Sequence, residues 1–258
     1  MSEPVLIREQ RGAVLILRLN RPDARNALSM ELMSELGLGL DDAEQEVGIR
    51  CVVLTGTGDR AFCAGMDLAD FAKGGSDKPT DPRGMAAFGR FIGGDIKVPI
   101  VGAANATAVA GGFELLLNCD VVVASADAKF GLPEVKRGLF AAGGGVFIGN
   151  RIPLAIALEL TLTGDPVDAN RAYSLGLVNE VVPATDVLDA AIRMGERIAR
   201  NGPLALEATK QMVRKGATDL AAAQALAAEW QPKVFGSNDA REGATAFVEK
   251  RDPVWTGT

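Results

Sequence analysis

Apolar residues along the chain keep two rhythms, and the switches between them outline the elements. Near the N-terminus, VLIREQ (5–10) and AVLILRLN (13–20) flank Arg11-Gly12 and are rich in β-forming residues, which predicts a hairpin. After NRPDARNALS the period changes. Leu28, Leu32, Leu36, Leu40, Ala43 and Val47 recur every three or four residues, predicting an amphipathic helix that ends near Val47, with Ser29 as its N-cap. IRCVVLT (49–55), VPIVGAAN (98–105) and CDVVVASADAKFG (119–131) read as buried strands. GGFELLLN (111–118) reads as a short helix between the last two, and Met85, Phe88, Phe91 and Ile92 mark one side of another.

From Gly143 the pattern is helical, broken by Pro153, Pro166 and Pro183, with one strand near LVNEVV (177–182) and Tyr173 inside a helix read as core. Beyond Asn201-Gly202-Pro203 it is helical throughout: LALEATKQMVRKG, LAAAQALAAEW and DAREGATAFVEK. Two stretches keep neither rhythm. GTGDRAFCAGMDL (56–68) is a glycine-rich loop that enters a helix near Asp67, and KGGSDKPTDPRG (73–84) has too few apolar residues to be held by packing, which predicts a mobile lid. Alternating strands and helices followed by helices alone predict an α/β architecture with a helical C-terminal region.

Composition narrows the function. The 258 residues suit one large α/β unit, and 48% hydrophobic with 23% charged residues is globular. A net charge of −6 argues against nucleic acid as a partner, because phosphate binding needs a basic footprint. Cys51, Cys63 and Cys119 are odd in number and widely spaced, fitting neither a disulfide framework nor a zinc site. Charged residues sit where a secretory leader needs its apolar core, and no apolar run has membrane-spanning length, so a reducing cytoplasm is the expected location. The chain has no histidine. That removes Ser-His-Asp and Cys-His nucleophiles and the zincin helix.

What remains is carboxylates and backbone. Gly56-Thr57-Gly58-Asp59-Arg60-Ala61 follows a strand as a dinucleotide fingerprint does, but another loop follows where a helix is required. AAGGGVFIGN lacks the Gly-Lys-Ser/Thr ending of a P-loop. The turns Cys63-Ala64-Gly65-Met66-Asp67 and Ala110-Gly111-Gly112-Phe113-Glu114 each join a strand to a helix. Their glycines either just permit tight turns or leave unpaired N–H groups to bind a negative oxygen; two such turns brought together would form an oxyanion hole from main chain. Glu114, in a helix first turn, is favoured there by the macrodipole, and Glu134 follows Pro133 in a loop. Placed together in an apolar pocket, one carboxyl of such a pair is raised into a useful range, which makes them better acid–base candidates than Lys129 or Lys136.

NRPDARNAL, AFCAGMDL, KVPIVGAANATAVAGGFELLLNCDVVVASADAKFGLPEV, LTGDPVDANRAYSLGLVNEVVP and NGPLALEATKQMV run through most of the chain and together resemble the crotonase, or enoyl-CoA hydratase/isomerase, superfamily in order and spacing. The resemblance implies a crotonase-like spiral of ββα units over residues 1–200 and a C-terminal helical trimerisation region over 201–258, assembling as a homo-oligomer, a trimer or a dimer of trimers. It implies an acyl-CoA thioester substrate and no separate cofactor or metal, since CoA enters with the substrate.

The resemblance places the oxyanion hole at the N–H groups of Met66 and Gly111 and the catalytic pair at Glu114 and Glu134. It puts CoA near Ala24, Arg25, Ala64 and Asp67, with Lys250 from a neighbouring subunit, and the acyl chain near Phe88, Phe113, Leu139 and Phe140. The implied reaction is hydration of a 2-enoyl thioester; a Δ3-Δ2 isomerase, a carnitinyl-CoA-type dehydratase and a non-catalytic scaffold or RNA-binding relative are the alternatives. Ala69 stands where many hydratases have lysine, and Gly138-Leu139-Phe140-Ala141-Ala142-Gly143 replaces the usual Pro-Gly-Ala-Gly turn.

Overall fold

The computed structural model describes residues 3–68, 72 and 80–258. Ala69, the helix expected to begin near Asp67, and residues 73–79 of the expected lid fall outside the described residues. The rest of that segment is the start of a helix: Asp81 caps it by accepting from the Arg83 N–H at 2.8 Å, and Pro82 opens its first turn, where a missing N–H costs nothing.

The larger sheet runs β1 (Leu6–Arg11), β2 (Val14–Leu19), β3 (Cys51–Gly56), β4 (Ile100–Ala104), β6 (Val121–Ser125) and β9 (Glu180–Val182) in spatial order. The β1–β2 hairpin is antiparallel and every later pairing in this sheet is parallel. From β2 to β6 both faces are covered, which is why these four strands read as continuous apolar runs. Leu15, Leu17, Val52, Leu54 and Ile100 face one core, with Leu32, Leu36 and Leu40 of α1 (Met30–Gln45). Val14, Ile16, Cys51, Val53 and Val101 face the other, with Val187, Ala190 and Ala191 of α6 (Val187–Ala199). Alternation along each strand divides the two cores.

The segment 119–131, expected as one strand, is two. β6 ends at Ser125, the chain turns at 126–128, and β7 (Lys129–Gly131) joins a second small sheet with β5 (Ala108–Val109) and β8 (Val167–Asp168). A Cys63–Ala108 bridge carries the same stack one layer further. Each layer thus has a long strand, a corner and a short strand, and β4–β5 is followed directly by α3 (Gly111–Asn118). This repetition of strand, corner, short strand and helix is the ββα arrangement that the resemblance implied.

Of the other helices, α2 (Pro82–Gly93) packs on α1, while α4 (Leu154–Thr163) and α5 (Ala169–Ser174) follow two 3-10 segments at 133–137 and 145–150. Tyr173, expected in the core, is 56% exposed: Ala169 and Ala172 supply the buried face of α5. The C-terminal helices are α7 (Pro203–Gly216), α8 (Leu220–Phe235) and α9 (Asn238–Glu249). Asp120 ties α7 to the sheet: it takes Lys210 Nζ at 2.8 Å, Arg214 Nη2 at 2.7 Å and the Ile100 N–H at 2.7 Å. Lys210 is almost fully buried, and burial draws its pKa down. Asp120→Ala leaves two cations facing each other without an anion, and urea unfolding should show a loss of about 3–5 kcal/mol.

Candidate active site

The loop at 61–68 is fixed from beneath. Phe62 and Cys63 are fully buried, and the Asn26 side chain donates to the carbonyls of Thr57 (3.0 Å) and Ala61 (2.9 Å). Leu28 then pairs with Met66 as in a parallel sheet: Leu28 N–H donates to Gly65 O at 2.8 Å and Asp67 N–H donates to Leu28 O at 3.0 Å. Both bonds go to the residues flanking Met66. The N–H of Met66 itself therefore points away from Leu28 and has no backbone acceptor among the described residues.

The second turn meets it. Ala110 sits at φ 53 and ψ −135, a conformation rare for a residue with a side chain, and is held by its N–H to Gly131 O at 2.9 Å. Such a conformation costs about 1–3 kcal/mol and persists only where the surroundings over-determine it. Gly111 follows as the first residue of α3, so its N–H has no partner within the helix. Gly65 lies at φ 92, and a Cβ added to it would come 3.1 Å from the Gly111 nitrogen; one added to Gly111 would come 3.6 Å from the Met66 nitrogen. The two free N–H groups thus lie side by side. Gly112 lets α3 approach so closely, because a Cβ there would collide with the Cys63 carbonyl.

Both glutamates line the same cavity, of about 460 Å³, together with Met66 and Gly111. Glu114, in the first turn of α3, is buried, and its Oε1 accepts the Gly145 N–H at 2.9 Å. Burial pushes its carboxyl above the ordinary range, while hydrogen bonds from the Gly145 and Gly143 amides pull back part of the shift. Glu134 stands in a 3-10 helix, Pro133–Arg137. Its Oε2 is buried without a hydrogen-bond partner among the described residues. Burial again raises the carboxyl, and the nearby Glu114 charge adds to the rise, against a backbone hydrogen bond and the charge of Arg137.

Phe88, Leu139 and Phe140 line the cavity as the resemblance implied. Phe113 does not: it is buried against Phe130, with ring centroids 5.6 Å apart, because α3 turns Glu114 to the cavity and Phe113 to the core. Ala64 is in the wall, and its N–H donates to Arg25 O at 3.1 Å, which brings it beside Ala24 and Arg25. Asp67 pairs with Arg21 at 2.9 Å. Lys250 caps the end of α9 and is not in the wall. In the departing turn, Ala142 and Gly143 line the cavity, and Gly143 leaves room for Glu114, whose Oε2 would lie 2.7 Å from a Cβ there.

Met33, Ile92 and Arg137 were not anticipated in the wall. Arg137, three residues beyond Glu134, is the one whose spacing gave a signal. Burial raises the Cys63 thiol to about 12, which removes it as a nucleophile. Among the described residues, no three His, Cys, Asp or Glu side chains gather into a metal site.

The family model described as enoyl-CoA hydratase/isomerase matches residues 9–258. This chain belongs to that family, within the crotonase superfamily. It is 38% identical to the enoyl-CoA hydratase EchA19 of Mycobacterium tuberculosis, over 98% of this chain and 96% of that one. It is 36% identical to a carnitinyl-CoA dehydratase of Proteus mirabilis, over 96% of each. The crystal structure of the enoyl-CoA hydratase EchA1 from Mycobacterium marinum superposes with a TM-score of 0.90 at 43% identity, covering 99% of this chain and 100% of that one.

Proposed function

We propose that this protein is a 2-enoyl-CoA hydratase, adding water reversibly across the Cα=Cβ bond of an enoyl thioester. The observation that carries this reading is the unequal environment of two carboxyls in one cavity. Glu114 accepts backbone N–H groups, which favours its ionised form, whereas Glu134 keeps a buried oxygen without a donor, which suits a proton carried there. The thioester oxygen sits between the Met66 and Gly111 N–H groups. Water attacks Cβ as Glu114 takes its proton, and the π electrons move onto that oxygen as an enolate. The enolate then takes the Glu134 proton at Cα, so that H and OH are added together, and exchange with solvent returns the proton from Glu114 to Glu134.

CoA follows the side built by Ala24, Arg25, Ala64 and Asp67 in this reading, with Lys250 reaching it from a neighbouring subunit. A Δ3-Δ2 isomerase needs one acid–base group, and Glu114 would then be spare. The names of the relatives support hydration or dehydration of acyl-CoA esters. Consumption of crotonyl-CoA with formation of the 3-hydroxy thioester tests the reading directly; a protein that binds the ester and leaves it intact contradicts it.

The same reading includes a homo-oligomer, a trimer or a dimer of trimers. Leu154, Leu158 and Leu162 are 67%, 45% and 69% exposed along one side of α4, and Phe235 and Phe247 are more exposed still. Apolar surface of this kind marks an interface. Light scattering should give the mass of three or six chains at micromolar concentration, and a stable monomer would overturn this part. No helix of the described chain is long and apolar enough to cross a membrane, which is compatible with the proposed cytoplasmic location.

A further inference from the structure

With the two glutamates and the paired amides assigned, one polar side chain remains among the described residues in the wall of the catalytic cavity. Every other described lining residue is glycine, proline, or carries a hydrocarbon or thioether side chain; the exception is Arg137. Its position follows from that of Glu134. Both belong to the 3-10 helix Pro133–Arg137, where residues three apart eclipse, so the two side chains leave the same face. Arg137 is exposed at the mouth of the cavity and forms no ion pair or hydrogen bond through its side chain among the described residues. It does not close onto Glu134, although its charge is felt there.

A guanidinium is a poor lining for a purely aliphatic chain, because packing hydrocarbon on it removes water and supplies no acceptor. It matches a carboxylate, whose two oxygens accept from its planar fork. Arg137 also belongs to the 133–143 side of the cavity, with Leu139 and Phe140, and not to the 24–28 and 64–67 loops assigned to CoA. We propose that Arg137 is a specificity-determining residue that receives a carboxylate carried on the acyl chain beyond Cβ, making carboxylated acyl-CoA esters the preferred substrate class. The chemistry performed on that class rests on the hydratase reading; its recognition by Arg137 does not.

Adipyl-CoA and hexanoyl-CoA separate the two. They have the same chain length, differ in the terminal carboxylate, and cannot be hydrated, so calorimetric titration reads recognition alone. The wild type should bind adipyl-CoA about 10–100-fold more tightly than hexanoyl-CoA, the worth of one hydrogen-bonded charge pair. Arg137→Leu should abolish that preference, and Arg137→Lys should restore part of it. A wild type that does not discriminate, or an Arg137→Leu protein that keeps the preference, overturns the proposal. So does equal weakening of both esters, which would assign Arg137 to the CoA phosphates. Turnover of crotonyl-CoA and of a carboxylated enoyl-CoA is followed in parallel: failure to hydrate either refutes the hydratase reading, while the binding ratio still decides the role of Arg137.

Discussion

Glu114→Gln and Glu134→Gln should each lower the hydration of crotonyl-CoA by about 10²–10⁴-fold, as expected when a positioned acid or base is removed from the transition state. Glutamine keeps the size of the side chain and can still accept the Gly145 N–H that holds residue 114. Affinity for a saturated acyl-CoA should stay close to that of the wild type, because the N–H groups of Met66 and Gly111 are untouched. The pH profile adds a second readout. The rate falls at low pH as the Glu114 carboxylate gains a proton, and at high pH as Glu134 loses the one it donates. Both carboxyls are raised by burial, so both limbs lie above the ordinary carboxylate range, as macroscopic values of the pair. An isomerase behaves differently: it tolerates Glu114→Gln and fails with Glu134→Gln. Hydration retained by the Glu134→Gln protein would refute the role given to that residue.

Gly111→Pro should reduce turnover by about 10²–10³-fold, the usual cost of one oxyanion donor. Gly111 is the first residue of α3, a position where proline suits a helix, so the substitution removes the N–H with little demand on the helix itself. The strained Ala110 immediately before it is the point of risk, since a residue preceding proline is itself restricted. Far-ultraviolet circular dichroism and the urea midpoint separate the two effects. A folded Gly111→Pro protein with full activity would remove that N–H from the mechanism.

The elements most legible in the sequence were those whose partners lie on both sides or along one face. Val52, Leu54 and the neighbouring Cys51 and Val53 read as a buried strand because two cores claim alternate residues. Ser29 was identifiable as a cap because its oxygen acts locally, accepting the Leu32 N–H at 3.2 Å. What stayed hidden depends on contacts distant in sequence. The corner at 126–128 and the two-residue strands β5 and β8 are too short to carry a period, and are defined by pairing with β7. Phe113 looked as suitable for the acyl pocket as Phe88, and only the rotation of α3 sends it to Phe130.

The glutamates were visible as candidates by elimination, since the chain has no histidine. Their difference was not. It arises from Gly145, which reaches Glu114 from 31 positions away, and from the absence, among the described residues, of any such donor to Glu134 Oε2.

The central claim is that one cavity adds water, not merely a proton, to an enoyl thioester. Incubating the wild-type protein with crotonyl-CoA in water enriched in both oxygen-18 and deuterium, then analysing the product by mass spectrometry and NMR, tests it most directly. Hydration by Glu114 and Glu134 predicts a 3-hydroxybutyryl thioester with one oxygen-18 at Cβ and one deuterium at Cα. Deuterium in the recovered ester without oxygen-18 at Cβ would show proton transfer alone, and would contradict the account.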